Sequence, residues 1–203
     1  MKKNKISKNW INRQKRDIFV RRSKAEGYRS RAVYKLIEID NKFNVLKNGI
    51  NILDLGAAPG SWSQYVSKNI KNGRILAIDL KEIENIENVY QVKGDFTQTK
   101  EQKIIREYFY NKVDLIISDM AENTTGNKNI DAISTGELCK EALFFAKTIL
   151  KKKGIFVSKL FMGSSFNEII KESKLIFKET RIFKPNSSRK DSKESFIISK
   201  FLR

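Results

Sequence analysis

The stretch LDLGAAPGSWSQ, residues 53–64, joins a short apolar run to a turn that carries two glycines four residues apart. The run INILDL at 50–55 is continuous and apolar, as expected for a strand that is buried on both faces. Gly56 and Gly60 allow a tight turn, and SWSQYVSKNI at 61–70 then has the spacing of a helix. A buried strand, a glycine turn and a helix in succession are typical of nucleotide-binding α/β domains.

Strands and helices alternate on both sides of this turn. Apolar runs predict seven strands, at residues 50–55, 74–79, 88–95, 112–120, 154–161, 175–183 and 194–202. Helical spacing predicts helices at residues 30–43, 61–70, 99–111, 133–153 and 164–174, the fourth of them closed by Gly154. Because apolar strands that alternate with helices form a mostly parallel sheet covered on both faces, the sequence predicts an α/β fold.

The last two predicted strands have no helix between them. A parallel crossover needs about a dozen residues and usually a helix, so one of these strands must be antiparallel to its neighbour. We therefore predict a single domain at residues 25–203, with a seven-stranded, mostly parallel sheet, one antiparallel strand near the C-terminus and helices on both faces. The basic residues 1–24 lack hydrophobic periodicity and are predicted to form a flexible arm that becomes ordered on its target.

The glycine turn departs from the dinucleotide fingerprint G-x-G-x-x-G. Ala58 stands where the middle glycine would let the backbone approach a pyrophosphate, and Pro59 removes a backbone donor. These residues disfavour an NAD-dependent dehydrogenase, which would also not need a basic surface. A ligand without phosphate groups tolerates the change, and S-adenosyl-L-methionine, an adenosine joined to a sulfonium amino acid, is such a ligand.

Three aspartates lie near the carboxyl ends of successive predicted strands: Asp54, Asp79 and Asp95. A carboxylate after the second strand suits ribose hydroxyls, and we expect one after the third strand to accept from the exocyclic amine of adenine. Each aspartate taken alone could equally cap a turn or a helix. The three together, beside the glycine turn, favour an S-adenosylmethionine site.

The chain has no histidine and a single cysteine, Cys139. These counts exclude a disulfide framework, a zinc site of the usual Cys/His kind and a Ser–His or Cys–His catalytic pair. They are typical of a protein of the reducing cytoplasm, and Cys139 is expected to be a small buried residue on a helix. Any general base must be Lys, Asp, Glu or Tyr.

The net charge of +18 is unevenly distributed. Residues 1–35 carry +11, residues 36–177 carry +2 and residues 178–203 carry +5. Six of the eleven arginines fall early in the chain, at positions 13, 16, 21, 22, 29 and 31. Because arginine suits bidentate phosphate contacts, this distribution favours a nucleic acid as the partner, with an anionic membrane surface as the alternative.

Four charged residues are predicted to face one edge of the sheet. Asp119 ends the fourth strand, Lys159 interrupts the apolar fifth strand, Glu194 opens the last strand and Lys35 lies on the N-terminal helix. A buried lysine is unfavourable unless it is paired, so Lys159 either forms a structural ion pair with Asp119 or accepts the proton of a hydroxyl whose oxygen attacks a methyl group. The second role requires a lowered pKa, which burial and Lys35 favour and the two carboxylates oppose. Lys35 as the base, or Lys159 as a residue that only orients the oxygen, remain open.

Six stretches of the chain, in order, are similar to the FtsJ/RrmJ family of ribose 2′-O-methyltransferases. They are SRAVYKLIEI (30–39), LDLGAAPGSWSQ (53–64), GDF (94–96), SDMAENTTG (118–126), VSKLF (157–161) and KPNSSRKDSKE (184–194). The resemblance covers residues 24–203 and implies a Rossmann-like class I methyltransferase domain. Two positions depart from the usual bacterial pattern, with Ser61 in place of a second glycine and Glu122 in place of proline.

The resemblance also implies roles for particular residues. It implies a catalytic tetrad of Lys35, Asp119, Lys159 and Glu194, in which Lys159 is the proton acceptor. It implies S-adenosylmethionine contacts at Gly60, Trp62, Asp79, Asp95 and Asp119.

The implied reaction is 2′-O-methylation of a uridine in the peptidyl-transferase region of 23S ribosomal RNA, on assembled large ribosomal subunits. We expect a cytoplasmic monomer without a membrane partner. The alternatives are the same chemistry on tRNA or at another rRNA site, and a non-catalytic RNA-binding factor for ribosome assembly.

Overall fold

The computed structural model describes residues 17–110, 112–121 and 128–203. The predictions made for residues 1–16 and for Glu122 lie outside this part of the chain. No helix within it is long and apolar enough to cross a membrane.

One sheet organises the described residues. Its strands are β1 (Ile52–Leu55), β2 (Ile75–Asp79), β3 (Tyr90–Lys93), β4 (Val113–Ser118), β5 (Leu150–Phe161), β6 (Phe177–Phe183) and β7 (Glu194–Leu202). Their spatial order is β3-β2-β1-β4-β5-β7-β6. Strands β1 to β5 pair in parallel, and β7 is antiparallel to both of its neighbours. The predicted seven-stranded sheet with one antiparallel strand near the C-terminus is confirmed.

Helices cover both faces of the sheet. They are α1 (Ile18–Ala25), α2 (Val33–Phe43), α3 (Ser61–Asn69), α4 (Thr99–Phe109), α5 (Lys128–Ile149) and α6 (Phe166–Ile176). On one face, Leu36 of α2 and Val66 of α3 belong to a buried cluster. On the other face, Ile105, Leu143 and Ile169 of the three later helices belong to a second cluster. The successive β1 residues Ile52 and Leu53 contribute to opposite clusters, which explains why both faces of the strand carry apolar side chains.

The boundary between α5 and β5 differs from the prediction. The helix ends at Ile149 and the strand begins at Leu150, so the expectation that Gly154 closes the helix is wrong. Gly154 is buried within β5, where a Cβ atom would lie 2.8 Å from the carbonyl oxygen of Lys151. The polar lysine run resembles a helix end in sequence, but Lys151 Nζ pairs with Asp114 Oδ2 at 2.8 Å and belongs to the strand.

The sequence does not predict α1, which overlaps the end of the basic segment 1–24. Asp17 caps this helix, because its Oδ1 accepts from the backbone N–H of Phe19 at 3.1 Å. The ring of Phe19 packs on that of Tyr34 with centroids 5.3 Å apart. Eight residues are too few to show a clear apolar period, and such a short helix depends on its cap and its packing against α2.

The parallel strands deliver the predicted polar residues to one edge. Asp79 is the last residue of β2, and Asp119 directly follows β4. The antiparallel direction of β7 brings its first residue to the same edge, because Glu194 pairs with Phe161 at the end of β5. Lys159 lies two residues before that end. Open α/β sheets bind their ligands at this edge.

Candidate active site

The glycine turn after β1 is held in place by the end of β2. The N–H groups of Gly56 and Ala57 both donate to the carbonyl oxygen of Ile78, at 2.9 and 3.1 Å. Asp79 Oδ2 accepts from the N–H of Ala58 at 2.9 Å. Gly56 has a φ of +68°, and a Cβ atom there would lie 2.0 Å from Cγ of Met120. Only glycine fits at this position, because both the backbone conformation and the space exclude a side chain.

A cleft of about 540 Å³ opens beside this turn, and we call it the turn cleft. It is lined by Gly56, Ala58, Ile78, Asp79, Leu80, Lys81, Gly94, Asp95, Phe96, Thr97, Asp119, Met120, Ala121 and Leu138. Apolar side chains and three carboxylates share the lining, a combination that suits an adenosine bearing a cationic amino acid. The structure therefore brings Asp79, Asp95 and Asp119 together, as the sequence predicts.

Two of these aspartates also hold the local backbone. Asp79 Oδ1 accepts from the N–H of Lys81 at 2.8 Å, in addition to the bond that Oδ2 makes with the turn. Asp95 Oδ1 accepts from both the N–H and the hydroxyl of Thr97, at 2.9 and 2.8 Å. Each carboxylate keeps acceptor capacity beyond these bonds, so capping and ligand binding are compatible at both positions.

Asp54 has a different place from the other two strand-end aspartates. It is fully buried beneath the turn and does not line the cleft. Ser63 Oγ donates to Asp54 Oδ2 at 2.6 Å. Burial raises the pKa of Asp54 to about 7, and the Ser63 hydroxyl only partly offsets this. The residue links β1 to the first turn of α3.

Gly60 and Trp62 lie at the start of α3 and do not line the turn cleft. Gly60 is the N-cap, with a φ of +104°. The Trp62 side chain is buried in the core on the α2–α3 face, where its ring packs on Phe196 with centroids 5.8 Å apart. Its indole N–H donates to the carbonyl oxygen of Ala32 at 2.8 Å. The Trp62 side chain is therefore a core residue, which is the position that its helical spacing alone is compatible with.

The four charged residues of the predicted tetrad form one buried cluster, which we call the tetrad. Lys159 Nζ lies 2.7 Å from Asp119 Oδ1 and also donates to the Asp119 backbone oxygen at 2.7 Å. Lys35 Nζ lies 3.3 Å from Asp119 Oδ1 and 2.9 Å from Glu194 Oε2. Lys35, Lys159 and Glu194 are each less than a tenth exposed. The aspartate thus bridges two lysines, and the glutamate holds one of them.

The surroundings shift the pKa values of the two tetrad lysines in opposite directions. Burial lowers the pKa of Lys159, the charge of Lys35 lowers it further, and Asp119 and Glu194 oppose this only in part. Burial acts the same way on Lys35, but there Asp119 and Glu194 outweigh it and raise the pKa. Burial would raise the pKa of Asp119, yet the two lysines keep it below its ordinary value. Of the two ammonium groups, that of Lys159 is therefore the easier to deprotonate, while the surroundings of Lys35 favour its charged form.

A second cleft, of about 410 Å³, lies on the other side of the tetrad, and we call it the arginine cleft. It is lined by Ser30, Arg31, Ala32, Lys35, Arg189, Asp191, Ser192 and Glu194. The tetrad separates the two clefts, because Asp119 lines the turn cleft whereas Lys35 and Glu194 line the arginine cleft. The sequence does not predict this second cleft; the basic loop before β7 is the signal that points to it.

The strand order, the glycine turn and the acids at the strand ends define a Rossmann-like methyltransferase. A family model described as FtsJ-like methyltransferase matches residues 28–201. The chain belongs to this family, whose cofactor is S-adenosylmethionine.

Individual relatives agree with this assignment. The chain is 63% identical over 203 residues to the ribosomal RNA large subunit methyltransferase E of Pelagibacter ubique (strain HTCC1062), and both chains are covered completely. It is 44% identical over 199 residues to the protein of the same name from Rickettsia akari (strain Hartford), with 95% of this chain and 88% of the relative covered. A solved structure of a ribosomal RNA methyltransferase from Plasmodium falciparum superposes with a TM-score of 0.77 at 34% identity, and the match covers 86% of this chain and 98% of that one.

Proposed function

We propose that this chain methylates the ribose 2′-oxygen of a uridine in 23S ribosomal RNA, with S-adenosylmethionine as the methyl donor. The observation that carries the proposal is the position of the buried tetrad between two clefts. Such an arrangement suits a transfer in which the donor enters from the turn cleft and the acceptor from the arginine cleft.

The residues of the turn cleft fit the donor. Asp79 is placed to accept from ribose hydroxyls and Asp95 from the adenine amine, while Phe96 and Leu138 offer apolar surface to the ring. No phosphate has to be accommodated at Pro59. Bound there, S-adenosylmethionine supplies an electrophilic methyl group on a sulfonium.

In this proposal Trp62 contributes through its backbone N–H, whereas Gly60, whose own N–H donates to the carbonyl oxygen of Ala57 at 2.6 Å, contributes through the shape of the turn. The first N–H groups of a helix have no acceptor within the helix, and they attract a carboxylate. Both residues belong to the start of α3, where the amino-acid end of the donor would lie. The Trp62 ring fixes this helix end to α2 through its bond to Ala32.

The residues of the tetrad have different roles in the methyl transfer. In its neutral form Lys159 would accept the proton of the 2′-hydroxyl, whose oxygen would take the methyl group that S-adenosylmethionine supplies, leaving S-adenosylhomocysteine. Cationic Lys35, held by Asp119 and Glu194, donates to a ribose oxygen and orients it. Asp119 holds the Nζ atoms of both lysines at the junction of the clefts. The proton on Lys159 then passes to water.

The RNA assignment is supported by relatives and by charge. Two relatives carry the name ribosomal RNA large subunit methyltransferase E. The N-terminal 35 residues and the basic C-terminal segment supply the positive surface that a polyphosphate needs. We propose that the enzyme works as a cytoplasmic monomer on assembled large subunits.

The proposal is tested by methyl transfer from labelled S-adenosylmethionine to large ribosomal subunits from a strain that lacks the enzyme. We expect Lys159→Ala to lose at least 100-fold in rate, as the loss of a general base does, while it still binds S-adenosylmethionine. Retained activity in this variant would remove the assignment of the base. Mapping the methylated nucleotide then separates a 23S uridine from a tRNA or another rRNA site, and an absence of any transfer by the wild type would favour a non-catalytic assembly factor.

A further inference from the structure

Two arginines of the N-terminal segment, two residues apart, serve different parts of the molecule. Arg31 lines the arginine cleft, pairs with Asp17 and donates to the carbonyl oxygen of Ser187. Arg29 lines neither cleft. Charge distribution alone would assign both arginines to RNA phosphates, whereas the contacts that they make show that only Arg31 lies at a cleft.

The guanidinium of Arg29 is committed to backbone carbonyl oxygens. Nη1 donates to the oxygens of Pro59 and Glu84, at 3.0 and 2.9 Å, and Nη2 donates to that of Asn85 at 3.0 Å. The backbone N–H of Arg29 donates to Gln64 Oε1 at 2.9 Å. The side chain is only 17% exposed, so few of its donors are left for a phosphate.

These bonds join two walls of the turn cleft. Pro59 belongs to the glycine turn that supplies Gly56 and Ala58 to the lining. Residues 84 and 85 belong to the connection after β2, whose first residues supply Leu80 and Lys81. Below the guanidinium there is only a small buried cluster of Ala57, Ala77, Ile83 and Ile86, which is less apolar surface than either main cluster provides.

The surroundings of Gly60 match this role. A Cβ atom at Gly60 would lie 2.8 Å from Arg29 Nη1 and 2.8 Å from Cδ1 of Ile86. The glycine therefore leaves the space in which the guanidinium reaches both walls. A lysine at position 29 would keep the charge, but it lacks the planar fork that serves three oxygens in two directions.

We propose that Arg29 is a positioning residue for S-adenosylmethionine and not an RNA contact. It fixes the glycine turn and the connection after β2 at the separation that the donor requires. The neighbouring bonds from Ser30 Oγ to Ser61 Oγ, at 2.8 Å, and from Trp62 to Ala32 extend the same connection to α2, which carries Lys35. The inference rests on the proposed cofactor and extends it to a residue outside the cleft.

The test uses the full-length chain and the variants Arg29→Lys and Arg29→Gln. We expect calorimetry without RNA to show at least a tenfold higher Kd for S-adenosylmethionine in both. Hydrogen exchange of the free protein should be faster at residues 56–64. In steady-state assays the KM for S-adenosylmethionine should rise while the KM for RNA stays the same, a split that a general loss of folded protein would not produce. The salt dependence of RNA affinity should not change.

Arg21→Gln is the matched control, because Arg21 is an exposed residue of α1 and its loss removes the same charge. It should leave the Kd for S-adenosylmethionine unchanged. If both Arg29 variants bind the donor within twofold of wild type, or if Arg29→Gln instead lowers the salt slope of RNA binding by about one phosphate contact, the inference is overturned. If the wild type itself does not bind S-adenosylmethionine, the proposed function fails first.

Discussion

The pKa values of the two lysines of the tetrad are shifted in opposite directions because their neighbours differ. Lys35 contacts two carboxylates, Asp119 and Glu194, and its charge is stabilised. Lys159 contacts only Asp119 directly, while it shares the full penalty of burial and the repulsion of the other lysine. The lysine with fewer acidic partners is thus the one that can lose its proton.

This difference predicts the pH dependence of the reaction. The single-turnover rate at saturating donor and RNA should rise with pH as Lys159 loses its proton and should level off at the lowered pKa of that group, below its ordinary value of 10.5. Asp119→Asn removes the interaction that most raises this pKa, so the rise should move to lower pH even though the variant is slower. If the single-turnover rate of Asp119→Asn rises over the same pH range as that of wild type, the assignment of Lys159 as the proton acceptor is contradicted. Lys159→Arg, which keeps its proton at all accessible pH values, should show no such rise.

Asp54 predicts a second pH effect, on stability. Its pKa is about 7 in the folded protein against an ordinary 3.8, so the folded state holds its proton more tightly than the unfolded state. The contribution of Asp54 to the free energy of unfolding should therefore fall as the pH rises from about 4 to 7, by at most about 4 kcal/mol. As the pH rises over the same interval, the melting temperature of Asp54→Asn should increase relative to that of wild type. Ser63→Ala, which removes the hydroxyl that offsets burial, should show a larger total loss that continues to higher pH than in wild type.

At the scale of elements, the pattern of apolar residues was sufficient to predict the strands of the sheet. It was not sufficient to predict the start of β5 or the helix α1. Strands β1, β2 and β4 are almost entirely buried, and their apolar runs identify them, whereas the edge strand β3 has no buried residue. The start of β5 was not predictable, because Lys151 lies at an exposed strand end and is paired by a distant aspartate, Asp114. The contact between the rings of Phe19 and Tyr34, which stabilises α1, is likewise tertiary.

In the candidate site, too, some residues could be predicted from the sequence pattern and others depend on tertiary contacts. Asp79, Asp95, Asp119 and Lys159 follow from the rule that parallel strands end at one edge. The arginine cleft and the contacts of Arg29 depend on loops folding back over that edge, and no periodicity in the sequence encodes them.

The loop between β6 and β7 gives a prediction at this scale. Glu38 of α2 holds it, because its Oε2 accepts from the N–H of Asn186 at 2.6 Å and its Oε1 from the N–H of Ser187 at 2.7 Å. The loop supplies Arg189 to the arginine cleft and leads into Glu194. Glu38→Ala should release the loop and raise the KM for RNA by roughly tenfold, equivalent to about 1.4 kcal/mol, while the Kd for S-adenosylmethionine is unchanged.

Glu179→Gln is a suitable control for the Glu38 variant, since it removes one carboxylate charge from an exposed position of β6. It should leave the KM for RNA within twofold of wild type. An equal rise in both variants would mean that charge, and not the attachment of the loop, sets the affinity for RNA.

At the scale of the whole molecule, we propose that the basic ends act on RNA through long-range charge. Residues 1–16 contain seven Lys and Arg and no acid. Asp17, in contrast, pairs with Arg31 and approaches Arg189 Nε at 3.6 Å, so the cap of α1 contacts two residues that line the arginine cleft. A truncation that tests the basic segment should therefore end before Asp17 and leave α1 intact.

Deleting residues 1–16 should reduce the dependence of RNA affinity on salt. Each phosphate contact that is lost lowers the slope of log K against log salt concentration by about 0.9 or less, because fewer counterions are released on binding. The Kd for S-adenosylmethionine should stay the same, since the described contacts of the turn cleft all come from later residues. A full-length variant in which the seven basic residues are replaced by glutamine should show the same reduced slope. If the deletion reduces affinity without changing the slope while the glutamine variant keeps wild-type affinity, residues 1–16 bind RNA by shape and not by charge.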